Sequence, residues 1–119
     1  MNEAEVWLKK AEEDFDTAEF NKEHKKYSYA AFLFQQAVEK GFKAVLIKKK
    51  KGLPKSHDCF ALARTSGAPE NIVHLADTIS PYYFRTRYPD ALLMDISKED
   101  IDLISKAARE VLSWIKKNF

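Results

Sequence analysis

The chain is poor in residues that interrupt or cross-link structure. A single cysteine, Cys59, in 119 residues excludes an internal disulfide and any zinc site built from several thiolates. It also fits a reducing cytoplasm. With only three glycines and four prolines, there is too little turn punctuation for a protein made of short strands. No apolar run approaches the ~20 residues of a membrane span. The N-terminal stretch carries Glu3 and Glu5 and lacks the apolar core of a secretory signal. The expectation is a cytoplasmic protein with no membrane attachment. A net charge of +2 is too small to argue for a nucleic-acid partner by itself. Three histidines, His24, His57 and His74, stand among scattered acids without metal-ligand spacing. Neither a metal nor another cofactor is therefore expected.

Helical periodicity is present almost everywhere. Asn2, with Glu5 three residues on, resembles a capping box that opens a helix over about Glu3–Lys22. Ala4, Trp7, Leu8, Ala11, Phe15 and Ala18 fall on its inner face. A second helix spans about Ser28–Lys50. Its stripe of Ala30, Phe34, Ala37, Val38, Gly41 and Val45 is widened by Ala31, Phe32, Phe42 and Leu46, so it should be central. Gly41 points to a close crossing there, and Gly52 with Pro54 should stop the helix. A short helix, about Asp58–Thr65, ends at Ser66-Gly67. Another begins at Pro69 and carries Ile72, Leu75, Ala76, Ile79 and Tyr83, with Pro81 kinking or ending it. The last is capped by Ser97 and Asp100, buries Ile101, Ile104, Ala108, Val111, Leu112 and Ile115, and closes with Lys116 and Lys117. The predicted fold is all-α: an antiparallel up-and-down four-helix bundle with one additional short helix, residues 1–119 forming a single domain.

Three passages carry chemistry. The least ordinary is YYFRTRYPD, Tyr82 to Asp90. Arg85 and Arg87 can grip a phosphate, and Tyr82, Tyr83 or Tyr88 can stack on a base. Equally, the segment can be a helix exit, with Tyr83 in the core, an arginine paired to Asp90, and Tyr88-Pro89-Asp90 forming a turn. In KSHD, His57 and Asp58 precede a helix. There His57 can meet an anion or act as an acid–base group, or Ser56 or Asp58 can simply cap while His57 packs nearby. Gln35, Gln36, Glu39, Lys40 and Lys43 make a polar strip on the apolar second helix. It is either solvated, with Glu39 and Lys43 as an i,i+4 pair, or set into a cleft that reaches Arg85 and Arg87. The lysine run Lys48 to Lys51 reads as a solvated helix end facing the dipole, or as a phosphate-backbone contact. His24 and His74 read as surface or packing residues, and Cys59 as a small buried one.

AFLFQQAVEKGFKAVL, KSHD and YYFRTRYPD, together with the opening WLKKAEEDFDTAE and the closing AAREVLSWIKK, resemble the HEPN domain family. Within it the chain is similar to the small stand-alone prokaryotic members. The resemblance implies a helical bundle that forms a homodimer and pairs with a separate minimal nucleotidyltransferase, with nucleotide or RNA as a further ligand. In several such pairs the HEPN chain is a toxin ribonuclease and its neighbour the antitoxin. Those ribonucleases carry an arginine with a histidine shortly after it, the histidine for proton transfer and the arginine for phosphate charge. This chain departs from that pattern. Arg64 precedes His74 by ten positions, and no histidine follows Arg85, Arg87 or Arg109. No catalytic residue is carried over, and His57 is the one candidate left. The expected role is a non-catalytic module whose binding residues are Arg85, Arg87, Tyr88, Tyr83, Asp90, Lys40 and Lys43. The alternative is a ribonuclease toxin with an unconventional site, His57 acting with Arg85 or Arg87. A tyrosine of YYFRTRYPD receiving a nucleotidyl group from the partner is a third reading.

Overall fold

The structure, a computed structural model, describes residues 1–85 and 95–119, with Phe84 and Arg85 described as backbone. The helices are α1 (Glu3–Glu23), α2 (Tyr27–Lys48), α3 (Cys59–Thr65), α4 (Glu70–Ile79), α5 (Tyr82–Arg85) and α6 (Lys98–Asn118). Among the described residues there is no strand. The bundle is formed by α1, α2, α4 and α6, as the periodicity predicts.

Its ends are set by local chemistry. The Asn2 side chain accepts from the Glu5 amide at 2.9 Å. At the start of α6 the Ser97 hydroxyl accepts from the Asp100 amide at 3.0 Å, and the Asp100 carboxylate accepts from the Ser97 amide at 3.1 Å. Each cap occupies amides that the first helical turn leaves without partners. The end of α2 differs from expectation. Gly52 and Pro54 do not stop it. The helix closes two residues earlier around Lys50, which adopts a left-handed φ of 59°. The Lys50 and Lys51 amides then bond back to the Ile47 and Leu46 carbonyls at 3.0 and 2.9 Å, which is the Schellman closure. Pro81 ends α4 instead of kinking it, and α5 is a separate single turn that carries Tyr83.

Alanine sets how closely the first two helices approach. Ala4, Ala11 and Ala18 on α1 and Ala30, Ala37 and Ala44 on α2 are spaced at seven residues, and all are buried. That spacing keeps a small-residue seam facing the neighbouring helix. Cross-helix pairs fix directions. Asp14 meets Lys40 at 2.6 Å and Phe15 meets Phe34 edge-on at 5.5 Å, so α1 and α2 are antiparallel. Glu12 with Lys116 and Glu19 with Arg109 run α1 against α6 in the same sense. On α2, Gly41 makes the close crossing possible. A Cβ there would lie 2.8 Å from Ile115 Cδ1 and 3.0 Å from Leu112 Cδ2, nearer than carbon atoms pack.

Candidate functional site

The other side of α2 is polar and faces α3 and α5. Gln35, Glu39 and Lys43 follow at i, i+4 and i+8, so they share one face. All three are buried, at 0%, 5% and 5% exposure. The solvated reading of this strip is therefore corrected for these three residues. The strip divides as well. Lys40 points the other way and pairs with Asp14 of α1, so it is not part of this cluster.

Glu39 is the hub. Its Oε2 accepts from Lys43 Nζ at 2.9 Å, and its Oε1 accepts from Gln35 Nε2 at 3.0 Å. His57 Nδ1 lies 3.2 Å from both carboxylate oxygens. A carboxylate can only accept, so Nδ1 carries the proton and Nε2 is left on the far edge of the ring. Gln35 also donates to the His57 carbonyl at 3.3 Å and accepts from Gln36 Nε2 at 2.7 Å. It thereby pins the loop that follows α2. Burial alone would raise the Glu39 pKa. The hydrogen bonds from Lys43 and Gln35, and the Lys43 charge, reverse that and hold the carboxyl below its ordinary value of 4.5. Cys59, behind Gln35, shows the opposite balance. Burial, then the Glu39 charge, pushes its thiol up, so it packs as an inert small residue.

His57 is fixed from a second direction. Its ring stacks on Tyr83 with centroids 4.4 Å apart and planes 9° from parallel. Tyr83 is buried at 8% exposure, whereas the His57 side chain is 47% exposed. Next in sequence, Asp58 caps α3 by accepting from the Phe60 and Ala61 amides, and accepts from Ser80 Oγ at 2.9 Å. The same aspartate thus ties the start of α3 to the end of α4.

The sequence-derived candidates therefore separate. Lys43, His57 and Tyr83 come together around Glu39, a residue that the sequence offers either as half of a solvated i,i+4 pair or as part of a polar strip set into a cleft. Lys40 is set apart. Arg85 belongs to α5, two positions after Tyr83 in the chain. Arg87, Tyr88 and Asp90 lie outside the described residues. The lysine run has a local role that its position alone does not predict. Lys49 and Lys51 donate to the Ser66 and Thr65 carbonyls at 2.7 and 3.2 Å, at the negative end of α3 rather than of α2. His24 stacks on Phe20 at the surface. Among the described residues no group of three or more His, Cys, Asp or Glu side chains could hold a metal, and no helix is long and apolar enough to cross a membrane.

Comparison with known proteins bears on the family and the fold. The family model of the HEPN domain matches residues 4–118. Among solved structures the chain is similar to TT1696 from Thermus thermophilus, with 24% identity, a TM-score of 0.86 and 100% of both chains covered. It is also similar to ST0689, an archaeal HEPN homologue, with 28% identity, a TM-score of 0.81, and coverage of 99% of this chain and 98% of that one. No curated protein matches.

Proposed function

This chain belongs to the HEPN domain family, and from that membership we propose that it is a non-catalytic module. It dimerises, pairs with a separate minimal nucleotidyltransferase chain, and contributes a nucleotide-binding surface beside Glu39 and His57. The observation that supports this reading is the closure of the buried cluster. Glu39 is engaged by Lys43, Gln35 and His57 together, and among the described residues no buried side-chain nitrogen or oxygen lacks a partner. A carboxylate saturated in this way holds a loop in place better than it drives a proton transfer. The arginine–histidine spacing of the family's ribonucleases is missing as well. Co-expression with the nucleotidyltransferase encoded nearest to it, followed by light scattering, tests the proposal. The expected results are a homodimer of the isolated chain and a stable complex of the two proteins. A monomer that captures no nucleotidyltransferase would overturn it.

One observation favours the ribonuclease alternative. A carboxylate orients His57 by Nδ1 and leaves Nε2 on the outer edge of a half-exposed ring, and α5, which holds Tyr83 against that ring, also contains Arg85. A histidine held this way can exchange protons with a ribose hydroxyl. RNA cleavage and growth arrest on expression, both lost in His57→Ala, would establish that reading. Intact RNA in the presence of the wild-type chain would remove it.

A further inference from the structure

Among the described residues, His57 is gripped on one face and one edge. Tyr83 covers one face of the imidazole almost in parallel, and Glu39 occupies the Nδ1 edge. Yet 47% of the side chain remains accessible. Those two contacts leave, among the described residues, the opposite ring face and the outer edge that bears Nε2 to account for this exposure. A flat π surface is thus presented to solvent and held in one orientation by a buried carboxylate, which is itself held by Lys43 and Gln35.

We infer that the open face of His57 is a stacking platform for a purine ring, which continues the Tyr83–His57 stack by one layer, with Nε2 beside the ring edge. This rests on the nucleotide-binding reading above and names the residue that would meet the base. A purine suits the site because it is planar and wider than the imidazole, so it covers the exposed face fully. An aromatic stack is tolerant of base identity, because every base has a π-face. Glu39 serves as a positioning residue: by accepting from Nδ1 it fixes the ring plane and turns the Nε2 edge outward.

Adenosine monophosphate is the probe, and the ring protons of His57, followed by NMR in the full chain, are the readout. A base lying over the imidazole shifts those protons upfield by its ring current, in a saturable way, whereas ribose 5-phosphate has no ring and leaves them in place. His57→Phe keeps a flat face and is expected to bind adenosine monophosphate within about threefold of wild type, while His57→Ala loses roughly tenfold to a hundredfold. Equal shifts with ribose 5-phosphate, or unchanged affinity in His57→Ala, would overturn the proposal. Absence of any saturable upfield shift in the wild-type chain overturns it as well. Dimerisation and nucleotidyltransferase capture are measured separately by light scattering, so failure of the stack and failure of the pairing give different results.

Discussion

The two buried sides of α2 are made from opposite materials. Toward α1 and α6 the helix presents Ala30, Phe34, Ala37, Gly41 and Val45, all apolar and closely approached. Toward α3 and α5 it presents Gln35, Glu39 and Lys43, equally buried but polar and hydrogen-bonded. The apolar side tolerates imperfection in proportion to the volume lost, because each atom contributes a little. The polar side depends on completeness, since removing one partner leaves a buried charge with nothing opposite it. One helix can therefore supply both the mass of the core and the rigid backing for an exposed residue, provided that the second set is never left half-satisfied.

The largest effect is expected on the apolar side. Phe34 has 0% exposure and meets Phe15 edge-on. Phe34→Ala should cost about 3–5 kcal/mol, read from the denaturant midpoint at constant slope. On the polar side, Lys43→Met keeps the stem volume but strands Glu39, and should cost about 3 kcal/mol. The decisive comparison is the double variant Glu39→Gln with Lys43→Met, which removes both charges. It should be more stable than Lys43→Met alone. A double variant less stable than the single would mean that the cluster behaves like the apolar seam.

Acid should separate the two sides without any change of volume. The folded-state pKa of Glu39 lies below its ordinary value of 4.5. Its contribution is therefore fully present above the ordinary carboxylate range. It is lost as pH falls from that range through the folded value. Thermal midpoints of wild type and Phe34→Ala should fall in parallel between about pH 6 and about pH 3, while Glu39→Gln should fall less steeply. Parallel curves for all three would show that Glu39 gains nothing from its partners on folding.

Much of this division is legible in the sequence, and its limits are physical. The apolar stripe of α2 and the caps at Asn2 and Ser97 can be read directly, because periodicity and capping are local and leave their mark within a few residues. Gly41 is recognisable as a crossing point because glycine inside a helix otherwise costs stability. Glu39 with Lys43 looks the same in sequence whether buried or on a wet surface, because the i,i+4 spacing carries no information about what lies opposite. The deciding partners, His57 and Tyr83, stand 18 and 44 positions further along the chain. Lys40, next to Glu39, faces α1 because a single helical step turns a side chain by about 100°, so adjacency in the strip misleads. The end of α2 escapes a reading from glycine and proline because lysine takes the left-handed position that glycine is expected to fill.

The smallest predicted effect is the most demanding test of the apolar side. Gly41→Ala gains helix propensity, roughly 1 kcal/mol for replacing an interior glycine. Against this, the new Cβ would stand 2.8 Å from Ile115 Cδ1 and 3.0 Å from Leu112 Cδ2. Both contacts are ends of flexible side chains, so each can move, but both residues are buried among neighbours that must move with them. Overpacking of that kind costs about 1–3 kcal/mol. The two terms oppose each other, and the steric one should win by about 1 kcal/mol, because Ile115 at 0% exposure has no solvent to retreat into. Adding Ile115→Val shortens the obstructing side chain and should return part of the loss, making Gly41→Ala with Ile115→Val less destabilised than the two single effects combined. Strict additivity would place the strain elsewhere, and a stabilised Gly41→Ala would mean that α2 and α6 can separate at this crossing without penalty.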